Sequence, residues 1–328
     1  MKIAGDKIRA RAAACLLGAI ACGSVFAQEA NYPERPIHLI VGFPPGGPND
    51  LIARIIQPKL GELLKQTIII ENRNGSNGEI ATGYVAKAAP DGYTMLVASN
   101  GSITISPGLG KKLPYDSRKD LTPLTIVAAS PMLLVVPLQS EAKSVADVIA
   151  MAKANPGKLS SASAGAAGPT HLALELFKSL AHVEIAHIPY KGGGPALTDA
   201  MGGQVDMYFG GLSTALPHVR AGKLRGLGVT TLARSAIAPE IPTIAETVPG
   251  YDASIWYGTF APPGLPAAIT AKLHDAIVAA VRSPEVLGKL KQEGVDPMDN
   301  SSAQLAAFIR EDIDKWARLA KSANIKPE

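Results

Sequence analysis

Short runs of consecutive apolar residues recur along the chain, separated by stretches in which apolar residues return every three or four positions. The runs at 37–41, 67–71, 94–98, 133–136, 205–209 and 224–229 are mostly continuous and too short to be buried helices. This pattern predicts strands covered on both faces, as in a parallel sheet flanked by helices. Segments 159–162 and 184–188 add two more strands. The helices between them have legible ends. Ser144 and Asp147 stand at capping-box spacing, and that helix stops before Pro156-Gly157. Pro195 fits a first helical turn that Gly202-Gly203 closes. Ser283-Pro284 begins a helix for Gly294 to end, and Ser301 with Gln304 opens the last one. Pro58 falls inside the helix that starts near Asp50, which predicts a kink or a break there. The chain is therefore of α/β class, with strands and helices interleaved.

No repeat of solenoid period and no low-complexity linker divides the 328 residues. A chain of this length buries a core large enough for two domains. Without a linker, the crossings between them fall on strands, for which 131–136 and 255–260 are the candidates. The expected lobes are 28–130 with 255–328, and 131–254.

The N-terminus carries Lys2, Lys7, Arg9 and Arg11, then an apolar run over 12–21, then Val25-Phe26-Ala27. The run is shorter than the ~20 residues that cross a bilayer. The segment reads as a secretory signal cleaved after Ala27, which sends the mature chain to the periplasm. Both cysteines, Cys15 and Cys22, lie within it, so the mature chain has no disulfides. The alternative is a lipoprotein anchored through Cys22. Removing 1–27 takes away four basic groups and one acidic group, so 32 and 28 become 28 and 27, a net charge of +1. That leaves no field to attract nucleic acid or acidic membranes. Nothing after residue 27 is long and apolar enough to span a bilayer.

Catalytic templates are absent. Gly211-Leu-Ser213-Thr-Ala215 lacks the second glycine of a nucleophile elbow, and there is no P-loop and no G-x-G-x-x-G after a strand. The six histidines show no metal-ligand spacing, so no metal and no cofactor is expected. Four glycine-bearing loops remain, each adjoining a strand and leading to a helix. They contain Phe43, Gly46, Gly47 and Asn49; Gly75, Ser76 and Asn77; Ser163, Gly165, Gly168 and Thr170; and Lys191 and Gly192, followed by Ala196 and Asp199. Glycines let backbone N–H groups converge, and a helix start adds partial positive charge, so such loops can hold an anion without a cationic side chain. A valine at Gly47 is expected to block such a site and to strain a positive φ. Glycine-rich turns also serve tight packing alone. Arg73 fits a structural pair with Glu71, His171 a cap or packing residue, Asp199 a ligand contact or a polar helix face, and Trp256 a hinge or core position.

The ordered motifs Phe43-Pro-Pro-Gly-Gly47, Asp50, Glu71-Asn-Arg73, Pro90-Asp-Gly-Tyr-Thr94, Leu113-Pro-Tyr-Asp116, His171-Leu-Ala173, Pro189-Tyr-Lys-Gly192, Pro195-Ala196, Pro249-Gly-Tyr251 and Trp256-x-Gly258 run through nearly the whole mature chain. In these the chain resembles the substrate-binding proteins of tripartite tricarboxylate transporters, the Bug (TctC-like) family. The resemblance implies a bilobal, type II-like Venus-flytrap fold with two doubly wound lobes joined by two crossover strands. It implies a periplasmic receptor for a small carboxylate (a di- or tricarboxylate, an acidic amino acid or an aromatic acid), with membrane permease subunits as partners. It also implies amides from Gly46 and Gly47 on one lobe, with Gly75, Ser76 and Asn77 beside them. From the other lobe it implies Ser163, Gly165, Gly168, Thr170, Lys191, Gly192, Ala196 and Asp199. Two positions depart from the family pattern. Ala167 and Gly168 stand where glycine and threonine are usual, so Thr170 or water must replace a hydroxyl donor; Ala81 stands where glycine is common. The alternatives are a ligand-sensing receptor for a membrane signalling protein such as a sensor kinase and, remotely, an α/β enzyme.

Overall fold

The apolar runs become strands of two separate sheets. The computed structural model describes residues 31–165, 168–190 and 193–325. The expected leader with Cys22 and Ala27, and also Ala167, Lys191 and Gly192, lie outside them. In chain order the elements are β1 (Ile37–Val41), α1 (Pro48–Leu64), β2 (Ile68–Asn72), α2 (Glu79–Val85), β3 (Thr94–Ser99), β4 (Thr122–Ser130), β5 (Met132–Pro137) and α3 (Val145–Ala154). Then come β6 (Ser160–Ser163), α4 (Pro169–Ala181), β7 (Ala186–Pro189), α5 (Gly193–Met201), β8 (Met207–Gly211), α6 (Leu212–Arg220) and β9 (Leu224–Val229). The chain closes with β10 (Ile255–Ala261), α7 (Ala267–Val281), α8 (Pro284–Gln292), β11 (Asp296–Pro297) and α9 (Ser302–Ser322).

The first sheet has the order β11-β4-β10-β3-β1-β2 and the second β7-β6-β8-β5-β9. Each contains three parallel strands, β2-β1-β3 and β7-β6-β8. The rest are antiparallel: β10 against β3 and β4, β11 against β4, and β5 against β8 and β9. The sheets are therefore mixed rather than parallel throughout, because a continuous apolar run encodes cover on both faces and not strand direction. Strand period divides the core accordingly. Ile37, Leu39 and Val41 of β1 face α1 and α7 on one side, while Ile40 joins Leu305, Ile309 and Ile313 of α9 on the other. In β5, Met132, Leu134 and Val136 meet α3 and α4, and Leu133 and Val135 meet α5 and α6.

The chain leaves the first sheet after Ser130, enters the second at Met132, and returns between Val229 and Ile255. The fold is bilobal. Helix α9 also joins the lobes: after feeding three residues into the first lobe, it places Trp316 and Leu319 in the second lobe's core. Ser301 and Gln304 form a complete capping box at its start. Ser144 Oγ accepts from the Asp147 N–H, but Asp147 reaches back to the Lys143 N–H, one residue beyond the expected partner. Helix α1 runs through Pro58 without a break.

Candidate functional site

Loops at the carboxyl ends of the parallel strands converge on a cavity of about 460 Å³ between the lobes. The loop after β1 brings Phe43, Pro48 and Asn49; the one after β2 brings Ser76, Asn77 and Glu79; β3 and its exit bring Ser99, Asn100 and Gly101. Ile105, Ser106, Leu109 and Lys111 follow from the next segment, and β10 adds Ile255 and Tyr257. The second lobe contributes Gly168 and Pro169.

The two lobes present matching helix starts to this cavity. Both α1 and α4 begin with an extended glycine cap, Gly47 (φ −73°, ψ 163°) and Gly168 (φ −81°, ψ 171°), followed by proline. Proline brings no N–H, and a glycine cap brings no side-chain acceptor. The first intrahelical bonds are Leu51 N–H to Gly47 O at 2.9 Å and Leu172 N–H to Gly168 O at 3.0 Å. Helix geometry therefore leaves the amides of Asn49 and Asp50, and of Thr170, as donors of the two first turns. Together with the dipoles, each start favours an anion by roughly 0.3–1 kcal/mol in water and up to ~2 kcal/mol when partly buried.

The Gly46 and Gly47 amides are engaged within the chain: Gly46 N–H donates to Asp50 Oδ2 at 2.9 Å, and Gly47 N–H to Pro44 O at 3.1 Å. The positive φ belongs to Gly46 (82°), not to Gly47, so the strain expected of a valine at Gly47 does not arise there. Asp50, 1 % exposed, also accepts from Arg54 Nε at 2.7 Å and Asn72 Nδ2 at 2.8 Å. Burial pushes its carboxyl up, but these bonds outweigh it and hold it below the usual carboxylate range. Asn72 reaches Phe43 O as well, so this group sets the first loop. The second loop is held in left-handed conformations at Gly75, Ser76, Asn77 and Gly78, two of them non-glycine, the kind of local strain that clusters at ligand sites.

In the second lobe, Ser163 is fully buried. Its Oγ lies 2.6 Å from His187 Nε2, accepts from the Gly165 N–H and donates to Gly165 O. Thr170 Oγ1 accepts from the Ala164 N–H at 2.8 Å, which ties the third loop to α4. His187 stacks on His171 at 3.7 Å between centroids; burial, and then His171, lower it to about 4. Ala196 is fully buried in the lobe core, and Asp199 accepts from the Tyr190 hydroxyl at 2.7 Å. Arg73 pairs with Glu71 at 3.2 Å and lies over the Tyr84 ring. Trp256 is buried and donates from Nε1 to Asp312 Oδ2 at 3.3 Å.

Sequence reasoning missed Ser99, Asn100, Ser106 and Lys111 and did not single out Glu79. A polar Ser-Asn-Gly at the end of an apolar strand was a usable signal for the first two; Lys111 offered none. Among the described residues no group of three His, Cys, Asp or Glu side chains could hold a metal, and no helix is long and apolar enough to cross a membrane.

The sequence model of the tripartite tricarboxylate transporter family receptors matches residues 52–325. The chain belongs to this family. It is 38 % identical over 314 residues to a UPF0065 protein in the tcbD-tcbE intergenic region of Pseudomonas sp. (strain P51), covering 95 % of this chain and 93 % of that one. Among solved structures, an R. palustris protein with adipate superposes with a TM-score of 0.72 at 35 % identity, covering 91 % of this receptor and 100 % of its own chain. MatC from Rhodopseudomonas palustris with bound malate gives 0.68 at 32 %, covering 88 % and 99 %. The periplasmic binding protein BugD gives 0.69 at 31 %, covering 90 % and 100 %. Family and neighbours are receptors and solute-binding proteins, which points away from catalysis.

Proposed function

We propose that the protein is a periplasmic receptor that captures a small carboxylate and delivers it to the permease subunits of a tripartite tricarboxylate transporter. One observation carries the reading: two helix starts, from different lobes, border one cavity without a guanidinium among its described lining residues. First-turn amides from both helices can then meet one carboxylate, and excluding solvent around it strengthens each contact. Adipate and malate in the two related structures support this ligand class. The units that close are 28–130 with 255–328, and 131–254, turning about the passages near Pro131 and Ile255. A ligand that touches both lobes favours the closed form, which is what drives closure. Calorimetry against a panel of mono-, di- and tricarboxylates, with scattering on the same samples, tests it. A saturable ligand that lowers the radius of gyration is expected. A panel without binding overturns the receptor reading, and binding at constant radius overturns the closure.

A further inference from the structure

A charged cluster lies on the first-lobe wall of the cleft. Glu79 opens α2 and is 6 % exposed. Its Oε1 accepts from Ser106 Oγ at 2.8 Å and forms an ion pair with Lys111 Nζ at 3.2 Å, and all three residues line the cavity. Lys111 is the one cation among the described lining residues, and Glu79 already neutralises it. Asn49, on the same cavity and 2 % exposed, has an Oδ1 without a hydrogen-bond partner; its Nδ2 reaches Ser99 Oγ only at 3.5 Å. A buried polar atom left unmatched in this way is costly until something supplies a donor.

Resting on the receptor reading above, we propose that the Glu79–Lys111 pair and Asn49 make this cleft select a monocarboxylate whose far end carries a hydrogen-bond donor, a hydroxyl or an ammonium group, over a dicarboxylate. The ligand's carboxylate occupies the helix starts. A second carboxylate at the far end would meet the negative Glu79 carboxylate and the Asn49 amide oxygen, an acceptor without a donor to offer. To gain Lys111 it would have to strip the cation from Glu79, leaving that buried carboxylate with the Ser106 hydroxyl alone. A donor meets both oxygens and leaves the ion pair in place. Walls built of acceptors discriminate strongly, because the wrong ligand leaves them unpaired. This selectivity differs from the adipate and malate described for the two related structures.

The test is calorimetry with length-matched acids: succinate, 4-hydroxybutyrate and 4-aminobutyrate, then adipate, 6-hydroxyhexanoate and 6-aminohexanoate. In the better-fitting length, a donor-ended acid should bind about tenfold or more tighter than its dicarboxylate. The hydroxy and amino arms separate a neutral donor from a cation. Glu79→Gln keeps an oxygen for Ser106 and Lys111, and should bring the two classes within about threefold of each other. Lys111→Met leaves Glu79 unneutralised, so the amino acid should gain affinity and the dicarboxylate lose it. Dicarboxylates that bind as well as or better than their partners overturn the selectivity while the receptor reading stands. So does a preference that survives Glu79→Gln in a variant with wild-type thermal stability. If none of these acids binds although the wider panel yields a carboxylate ligand, the selectivity also falls alone. If no carboxylate binds at all, the receptor reading falls with it.

Discussion

At the residue scale, the proposed site rests on backbone groups that a few side chains hold in position. Gly168 is the cleanest probe of that arrangement. Its φ of −81° suits any residue, and among the described residues an added Cβ would meet only Gly165 O, at an ordinary 3.5 Å. Gly168→Val should therefore change stability by no more than about 1 kcal/mol. The branched side chain projects into the space of the carboxylate, so affinity should fall by about a hundredfold or more. Calorimetry beside chemical denaturation checks both halves, and retained affinity in a stable variant would remove Gly168 from the ligand. His187 supplies a pH signature. Its folded value of about 4 lies below the ordinary 6.5, so between these limits the unfolded chain takes up a proton that the native chain refuses. Stability should be greatest above about pH 6.5 and decline as pH falls towards about 4. Thermal midpoints at pH 7 and pH 5 should differ more in the wild type than in His187→Gln; equal slopes would contradict the assignment.

At the element scale, the sequence showed the αβ alternation, most strands and the helix caps, because these depend on nearest neighbours and periodicity. It did not show β4. That strand carries a Pro and two Thr residues among its apolar ones, and its fully buried Thr125 is satisfied by Asn300, far away in the chain. It also did not show that Gly46 and Gly47 spend their amides within the loop, because the partners, Asp50 and Pro44, declare themselves only once α1 is placed. The glycine loops were legible as segments that face the cleft, since Phe43, Asn49, Ser76, Asn77 and Gly168 line the cavity; the Glu79–Lys111 wall was not, since it joins α2 to a segment beyond β3. Asp50 is what makes α1 a usable element, as its carboxylate gathers Arg54, Asn72 and the Gly46 amide. The Arg54 side chain is half-exposed, so the ion pair itself adds little. Unmet bonds at Gly46 and Asn72 dominate, and Asp50→Ala should cost about 2 kcal/mol in urea denaturation and disorder the ligand loop. A loss near zero would mean that the loop holds without its carboxylate.

At the scale of the whole molecule, the lobes are joined by the short passage at Pro131, by the return before Ile255, and by α9, whose Trp316 and Leu319 pack into the second lobe. The third was not foreseen from periodicity, because an amphipathic helix shows that it has an apolar face but not that the face is shared by two lobes. Around α9 a buried network tethers the passage: Asp312 accepts from Thr104 and Trp256 as well as from Lys315, and Lys315 donates to Asp252 O. The proposed closure is a rotation about the passages beside this cluster, bringing Gly168 and the start of α4 towards Asn49 and the start of α1. The central claim is that one carboxylate is held by both helix starts at once. The most direct measurement is an amide-resolved NMR titration of the deuterated protein with the acid that the calorimetric panel identifies. The amides of Asn49, Asp50 and Thr170 should shift downfield together with one dissociation constant. Shifts confined to one lobe, or saturating at different concentrations in the two, would contradict the account.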